Sequence, residues 1–358
     1  MTLDQTRLRW ALVIATYRRA HILPRCLRLA VQQTRPPAEV VVVDASPDWE
    51  KTRDAVLADL AASHPDVRWT YVAAERRSSA AQRNQGVRLA TADILFLIDD
   101  DSLMYPDCAE QILRVYEADE GRAVAGVNAM HVPTPPDQPD DPLAARPSEH
   151  GTTKHYGPLA RLVRRLLRAD DIFVPYDADF PQVPIPEPVR KLPIGKRNLM
   201  VGWGMTFRRE VCLLEPFDEI MTHYAAGEDS DMGYRASRHG LLLTALEARL
   251  CHLGAGGGRL HPFVVAALGN LNPLVLHRIY STDLKRSRRR SRNLLWRRFF
   301  ILVFKDLARR KLSLPNARGI LFAWRRLGCV FAQSEPDLRA WYPGFQKQLI
   351  ERYSAPLT

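Results

Sequence analysis

The amino-acid sequence predicts an α/β fold: a Rossmann-like, mostly parallel sheet with helices on both faces, followed by a basic α-helical C-terminal region. Short apolar runs rich in β-branched residues alternate with helical patterns up to residue 98. Lys and Arg are concentrated after residue 269, with 19 basic and 5 acidic residues in a chain whose net charge is +11. Hydrophobic residues make up 46% and charged residues 25%, a globular composition that excludes fibrous and disordered classes.

The first half of the chain predicts four buried strands separated by three helices. The apolar runs predict strands at residues 10–16, 40–44, 69–73 and 93–98, and the 3.6-residue patterns predict helices at 21–33, 52–62 and 79–90. Continuous apolar strands that alternate with helices are typical of a parallel sheet covered on both faces. Ligands bind such sheets at the carboxyl ends of the strands.

The five scattered cysteines form no C-x-x-C pair, which favours free thiols in a reducing compartment over a disulfide framework or a structural zinc site. The first residues have neither the basic start nor the apolar core of a signal peptide, and no run of about 20 apolar residues predicts a membrane span. We therefore expect a cytoplasmic protein.

Polar residues follow the predicted strands where a ligand would bind. Thr16 and Tyr17 follow the first strand, Asp44 ends the second, Glu75 to Arg77 follow the third, and Asp99, Asp100 and Asp101 follow the fourth. Three adjacent carboxylates repel one another, so a cation is expected to compensate them, and Mg²⁺ or Mn²⁺ binds one or two carboxylates together with phosphate oxygens. An acidic turn, and a turn-forming role for Asp44, are the structural alternatives. An EF-hand and a G-x-G-x-x-G dinucleotide site are excluded by the absence of their glycines.

The second half contains less regular signals. Half of the 26 prolines fall between Pro133 and Pro193, which predicts a long loop. Within this region, the basic, leucine-rich pattern of residues 156–168 predicts a helix. Residues 227–240 predict a helix with Glu228 and Asp229 in its first turn, where the helix dipole favours carboxylates. An apolar run at Leu241 to Leu246 predicts a further strand, and the segment after it contains His252. A capped surface helix and a buried, hydrogen-bonded histidine are the structural alternatives for these two features.

The chain resembles the inverting family-2 glycosyltransferases in five segments taken in order. They are ATYRR, LxxxxxQTRPPAEVVVVDAS, AAQRNQGVRLATADILFLIDDD, GEDSDMGYRASRHG and a later His-x-Gly. The resemblance covers about residues 10–255 and implies the type-A glycosyltransferase fold with a metal-binding Asp-x-Asp motif. It implies Mn²⁺ or Mg²⁺ as cofactor and a nucleoside-diphosphate sugar as donor substrate.

The resemblance also implies roles for individual residues. Metal ligands would be Asp99, Asp101 and His252, and the catalytic base would be Asp229, with Glu228 beside it. Thr16, Tyr17 and Asp44 would line the nucleoside pocket, Arg83 and Asn84 would lie near the nucleotide or diphosphate, and Asp100 would approach the ribose or the metal.

These features together predict a metal-dependent, inverting transfer of a sugar to a hydroxyl acceptor in polysaccharide, glycolipid or other glycan biosynthesis. The expected organisation is a nucleotide-sugar-binding half (1–130), a proline-rich insertion (131–195), an acceptor-binding and catalytic-base half (196–269) and a basic helical region (270–358). Two alternatives stay open: a sugar-1-phosphate nucleotidylyltransferase, and a non-catalytic protein that binds membranes or nucleic acid. No nucleic-acid motif supports the last of these.

Arginines in residues 286–298 lie next to Trp296 and to an apolar run from Phe299 to Phe304. Such a mixture is typical of an interfacial helix on an anionic membrane surface. A helix packed on the catalytic domain, with its arginines in water, explains the pattern equally well. We expect peripheral membrane attachment, on the inner face of the membrane, without a spanning helix.

Overall fold

The computed structural model describes residues 7–138, 174–177, 180–223, 226–254, 260–308, 310 and 312–354. The strands in these residues are β1 (Trp10–Thr16), β2 (Glu39–Asp44), β3 (Arg68–Ala73), β4 (Ile94–Phe96), β5 (Ser102–Met104), β6 (Val124–His131), β7 (Ile194–Arg197), β8 (Met205–Arg208) and β9 (Leu241–His252). The helices are α1 (Leu23–Val31), α2 (Trp49–Val56), α3 (Ser79–Leu89), α4 (Cys108–Glu117), α5 (Glu187–Arg190), α6 (Arg209–Leu214), α7 (Glu228–Ala236), α8 (Pro262–Tyr280), α9 (Leu284–Ala308), α10 (Pro315–Ala332) and α11 (Glu335–Ser354).

The strands form a mixed sheet in the order β3-β2-β1-β4-β8-β6-β9-β5, and β7 also pairs with β9. The half built from β1 to β4 is parallel, as the sequence predicts. In the other half, β8 runs antiparallel to both β4 and β6, and β9 runs antiparallel to β5 and β7. Strand β6 pairs with β9 in parallel. The predicted α/β fold is confirmed, but the sheet is mixed, with four parallel and four antiparallel pairings among the described strands, and is not mostly parallel as predicted.

The predicted elements of the first half are all present, and their ends differ by a few residues. The second helix begins at Trp49 and continues from α2 into a π-helical turn, Leu57–Ala61. Strand β9 extends to His252, well beyond the apolar run that predicts it. This extension follows from pairing with three other strands, which no local pattern reveals.

Strand β1 is buried on both faces, which explains its unbroken apolar sequence. Leu12 and Ile14 belong to a core that includes residues of α1 and α4, whereas Val13 belongs to a second core that includes residues of α3. Successive side chains of a strand point to opposite faces of the sheet, so each face needs its own apolar residues. Helices therefore cover both faces, as expected for a buried parallel sheet.

The chain divides into two compact units. The first comprises Met1–Thr152, Phe180–Asp218 and Met232–Gly258, and contains the sheet. The second comprises Thr153–Asp179, Glu219–Asp231 and Arg259–Thr358, and contains helices α8 to α11. In the second unit, α8 and α10 pack closely because Gly319 has no side chain: a Cβ there would lie 2.8 Å from the carbonyl oxygen of Phe263.

The basic helix predicted within residues 156–168 lies outside the described residues. The predicted proline-rich loop is described only up to residue 138 and again from residue 174. Among the described helices, none is both long enough and apolar enough to cross a bilayer. The four-part functional division of the chain stays a prediction.

A buried ion pair in the first unit generates a prediction about stability. Asp119 accepts hydrogen bonds from the backbone N–H groups of Ala123 (2.9 Å) and Val124 (2.7 Å), and from Arg208 Nη2 (3.0 Å). Because both charged side chains are buried, Asp119→Ala leaves an unpaired guanidinium inside the protein. We expect the free energy of unfolding to fall by roughly 3–5 kcal/mol, measured by urea denaturation.

The matched control is Asp54→Ala, which removes a carboxylate that is 67% exposed. We expect this variant to change the free energy of unfolding by less than about 1 kcal/mol. Equal losses for the two variants would show that the buried pair does not stabilise the fold.

Candidate functional site

Polar side chains from neighbouring strands meet at the carboxyl end of the parallel half-sheet. The strand register pairs Thr16 with Asp44, so β1 and β2 end at the same level. Strand β4 lies on the other side of β1, and the chain leaving it carries the three aspartates. Thr16 Oγ1 donates a hydrogen bond of 2.7 Å to Asp100 Oδ2. Both residues were predicted from their positions after the strands, and the structure brings them into contact.

Asp44 is buried beside an aromatic pair. Its Oδ1 accepts a hydrogen bond from the backbone N–H of Ser46 (2.7 Å), and its Oδ2 accepts one from the hydroxyl of Tyr71 (2.7 Å). Burial, followed by the hydrogen bond to Asp44, raises the pKa of Tyr71, so the phenol stays protonated as a donor. The ring of Trp49 stacks on that of Tyr71 at 6.4 Å between centroids. Sequence reasoning missed both aromatic residues.

Asp99 and Asp101, on either side of Asp100, converge with His252, and we call Asp99, Asp101 and His252 the Asp–His cluster. His252 Nε2 lies 3.2 Å from Asp101 Oδ1 and 3.7 Å from Asp99 Oδ2. The convergence results from the antiparallel pairing of β5 with β9, which sets Ser102 directly opposite His252. The Asp–His cluster was predicted as a ligand set, and the structure brings its members together.

Charged neighbours compensate the carboxylates. Arg83 Nη2 lies 2.8 Å from Asp99 Oδ1, and Arg19 Nη1 lies 3.7 Å from Asp101 Oδ2. Burial lowers the pKa of His252, but its hydrogen bond to Asp101 and the charges of the aspartates outweigh that effect and raise it overall. Burial and then the charge of Asp101 raise the pKa of Asp100 to about 7. Both shifts show that the three aspartates concentrate negative charge in this site.

The Asp–His cluster has the composition of a divalent-metal site. One ligand atom from each residue lies within 4.8 Å of the others, and no second group of three acidic, histidine or cysteine side chains in the described ranges does so. Two carboxylates and one imidazole leave further coordination positions for water or for a ligand. His252 Nδ1 and Trp203 Nε1 are buried nearby and have no hydrogen-bond partner among the described residues. The donor set thus fits Mn²⁺ or Mg²⁺.

Tyr17 lies at the rim of the site under two arginines. The guanidinium carbon of Arg77 is 3.7 Å from the centroid of the Tyr17 ring, and that of Arg18 is 5.3 Å away. Cations that lie over an aromatic face stabilise the arrangement electrostatically. Arg77 lies in the loop after β3, among the strand-end residues that the sequence predicts at the ligand-binding edge, although the sequence suggested no individual role for it.

Asn84 makes contacts that differ from those of Arg83. Its side-chain amide donates to the carbonyl oxygen of Phe217 and accepts from the N–H of the same residue, both over 2.9 Å. Asn84 thereby fixes a loop that is distant in sequence. The guanidinium carbon of Arg83 lies 5.6 Å from the centroid of the Phe217 ring, and its Nη2 donates a hydrogen bond to Asp99. Arg83 therefore contacts the Asp–His cluster, whereas the bonds of Asn84 go to the backbone of Phe217.

The predicted acids Glu228 and Asp229 occupy the first turn of α7. The positive end of the helix dipole stabilises carboxylates at this position. Asp229 Oδ1 accepts a hydrogen bond of 2.7 Å from the N–H of Ser230. Both acids belong to the second unit, whereas the Asp–His cluster belongs to the first.

Several known proteins resemble the chain. Validoxylamine A glucosyltransferase of Streptomyces hygroscopicus subsp. limoneus is 28% identical over 246 residues, which are 65% of this chain and 49% of the relative. An uncharacterized glycosyltransferase of Haemophilus influenzae is 30% identical over 108 residues, which are 30% of this chain and 34% of that protein. The chain therefore spans half or less of the length of these curated relatives.

Among solved structures, S. aureus TarS 1-349 in complex with UDP-GlcNAc superposes with a TM-score of 0.51 and 12% identity, covering 97% of this chain and 89% of that chain. At this identity the likeness concerns the fold alone, which is an α/β glycosyltransferase fold. The family model described as glycosyltransferase like family 2 matches residues 8–252. Because this match includes the Asp–His cluster and more than half of the chain, the protein belongs to glycosyltransferase family 2.

Proposed function

We propose that the protein is a metal-dependent, inverting glycosyltransferase that moves a sugar from a nucleoside-diphosphate sugar to a hydroxyl acceptor. The observation that carries the proposal is the convergence of Asp99, Asp101 and His252 within 4.8 Å at the carboxyl end of the sheet of a family-2 chain. Polysaccharide, glycolipid or other glycan biosynthesis is the pathway class we infer. The relative named as a glucosyltransferase supports a hexosyl donor.

The pocket around Asp44 supports the binding of the nucleoside. Asp44 Oδ1 and Oδ2 each accept one hydrogen bond from the protein and keep a lone pair for a base N–H. Thr16 and Tyr17 are assigned to the same pocket, and Asp100 to the ribose. Arg83 and Arg19 are assigned to the diphosphate, with Asn84 positioning the loop beside them. The buried Arg19 Nη1, which makes no hydrogen bond within the described residues, supports a contact with an anionic oxygen.

Asp99, Asp101 and His252 would hold the divalent ion. Mg²⁺ prefers oxygen ligands alone, so the imidazole in this set favours Mn²⁺. When bound, such an ion neutralises charge on the nucleoside-diphosphate leaving group. The positive charges of Arg19 and Arg83, which lie 3.7 and 2.8 Å from the carboxylates of Asp101 and Asp99, would contribute to the same stabilisation.

Asp229 is proposed as the general base, with Glu228 beside it. The helix dipole favours a carboxylate in the first turn of a helix, and a carboxylate is able to take the proton of the attacking hydroxyl. A single displacement that uses one base inverts the configuration of the anomeric carbon. No covalent sugar–enzyme intermediate, and hence no separate nucleophile, is required.

A nucleotidylyltransferase is the alternative enzyme class. Such an enzyme consumes a nucleoside triphosphate, whereas the proposed transferase hydrolyses its donor slowly when water replaces the acceptor. A thermal-shift screen of UDP, GDP, dTDP and their sugars with Mn²⁺ identifies the donor. Consumption of nucleoside triphosphate together with stable nucleotide sugars would reject the proposed function.

Metal binding is tested with Asp101→Ala. The side chain of Asp101 is only 5% exposed and faces His252, so its loss removes a central ligand. We expect the affinity for Mn²⁺, measured by electron paramagnetic resonance with and without the nucleotide identified above, to fall more than about tenfold, or ~1.4 kcal/mol. Asp107→Ala, a nearby aspartate outside the cluster, is the control and should retain wild-type affinity. Normal Mn²⁺ affinity in Asp101→Ala would refute the ligand assignment.

The base is tested with Asp229→Asn. Asparagine keeps the size and the capping ability of the side chain but cannot accept a proton. We expect kcat for donor hydrolysis to fall by roughly 10²–10⁴-fold while the Kd of the nucleotide is unchanged. Glu228→Gln, one residue earlier in the same turn, should lower kcat for donor hydrolysis less than Asp229→Asn does. Wild-type turnover in Asp229→Asn would move the role of base to another group.

Helix α9 supports the proposed membrane attachment. Trp296, Phe300 and Phe304 are spaced four residues apart on one helix face and are 50%, 41% and 67% exposed. We call these three residues the aromatic stripe. Leu294 and Leu295 are buried in the second unit, so α9 combines a packed face with an exposed apolar one. The exposed Arg289 and Arg292 continue the same face toward the helix N-terminus, as expected for contact with anionic lipid.

Membrane binding is tested by co-sedimentation with phosphatidylglycerol vesicles and with neutral phosphatidylcholine vesicles. We expect binding to the anionic vesicles alone, weakened at high salt, since each basic residue near the surface contributes ~1 kcal/mol that salt screens. Phe300→Ser combined with Phe304→Ser should abolish it. Leu214→Ser, which changes an apolar residue 65% exposed in the first unit, is the control. Absence of binding to both vesicle types would refute the proposed membrane attachment.

A further inference from the structure

The segment that precedes the proposed base is held by buried polar groups of the C-terminal helices. Residues Glu219–Asp231 belong to the second unit together with α8 and α11. They run into the first turn of α7, where Asp229 lies. We call residues 219–231 the acid loop. Its conformation determines where the carboxylates of that turn lie.

Gln346 of α11 makes the first attachment. This side chain is fully buried, and its amide donates to the carbonyl oxygen of Ile220 (2.8 Å) while its oxygen accepts from the N–H of Thr222 (3.2 Å). One side chain thereby satisfies two backbone groups of the acid loop. Buried backbone groups that lose such a partner cost free energy, so Gln346 stabilises this conformation of the loop.

A relay of two side chains makes the second attachment. The hydroxyl of Tyr342 on α11 donates to Asn272 Oδ1 over 2.6 Å, and Asn272 Nδ2 on α8 donates to the carbonyl oxygen of Ala226 over 2.9 Å. Tyr342 and Asn272 are fully buried. Ala226 stands two residues before Glu228, so this bond fixes the chain immediately before the proposed acids.

The third attachment lies inside the first turns of α7. Asp231 is fully buried and accepts a hydrogen bond of 2.9 Å from the hydroxyl of Tyr176. Its backbone N–H also bonds to the carbonyl oxygen of Gly227. The described residues of the acid loop are therefore held at Ile220 and Thr222, at Ala226 and at Asp231, on both sides of Asp229.

We infer that Gln346, and the pair Tyr342 and Asn272, are positioning residues for the proposed base, so that the C-terminal helices take part in catalysis through the acid loop. This inference rests on the proposed function of Asp229. Misplacement of a reacting group by about 1 Å costs up to roughly 10²-fold in rate, so loosening the loop lowers turnover without touching the donor site. The basic helical region thus has a role besides the proposed membrane contact.

The experiment compares Gln346→Met and Tyr342→Phe with Gln348→Met. Methionine matches glutamine in shape but cannot make the two hydrogen bonds, and Tyr342→Phe breaks the relay by removal of a single hydroxyl. Gln348 lies two residues further along α11 and is exposed, so it is a matched control. Hydrogen exchange followed by mass spectrometry measures the exchange rates of the backbone amides of the acid loop. We expect faster exchange in residues 219–231 of the first two variants and no change in peptides of the sheet.

The kinetic arm measures donor hydrolysis, with the concentration of active sites determined by nucleotide titration. We expect kcat to fall by roughly 10–100-fold in Gln346→Met while the donor KM stays within about twofold. A purely structural role would reduce the active fraction and leave kcat per active site unchanged. Unchanged exchange in the acid loop, or unchanged kcat per active site despite faster exchange, would overturn the inference.

Asp229→Asn, measured in parallel, separates this inference from the proposed function. Full turnover in Asp229→Asn overturns the assignment of the base itself. Full turnover in Gln346→Met beside an inactive Asp229→Asn overturns only the positioning role of the C-terminal helices.

Discussion

Negative charge at the carboxyl end of β4 is the constraint on which the surrounding structure depends. Three consecutive aspartates follow a buried strand, where repulsion and loss of water destabilise their ionised forms. The compensating groups come from separate parts of the chain: Arg19 after β1, Arg83 on α3 and His252 at the end of β9. Each of them reaches the carboxylates only if the strands keep their register, so the sheet and the site depend on each other.

Helix α3 illustrates how one element serves both packing and chemistry. Nearly all of its residues are buried, polar ones included. Arg83 compensates Asp99, while the next residue, Asn84, bonds to the backbone of Phe217 and fixes a distant loop. The polar residues at the start of α3 therefore face partners in the protein instead of water, which explains why the helix lacks a clear apolar stripe.

The local patterns of the first half predict its structure well. The boundaries of β1 match the prediction, and β2, β3, α1 and α3 differ from theirs by only one or two residues at each end. Strands β1 and β2 are unbroken apolar runs buried along their length, and α1 has apolar residues at helical spacing, so local sequence determines these three elements. The mixed half was not predictable in the same way, because β4 pairs with β8 and β5 with β9, which are segments more than 90 residues apart in the chain. The strand that ends in His252 looked short because only its first residues form an apolar run.

The sequence by itself determined the α/β class, the family resemblance, and the identity of the acids and the histidine that converge. It did so because strand ends in a parallel sheet share one edge, which makes the residues after each strand candidates for one site. Only the tertiary structure decided which groups touch. Tyr71 bonds to Asp44 across the β2–β3 pair, and His252 meets Asp101 across the β5–β9 pair. Gln346 reaches Ile220 from the far end of the chain. Hydrogen bonds are short and directional, so partners this far apart in sequence are selected by the packing of the whole chain and leave no local signal.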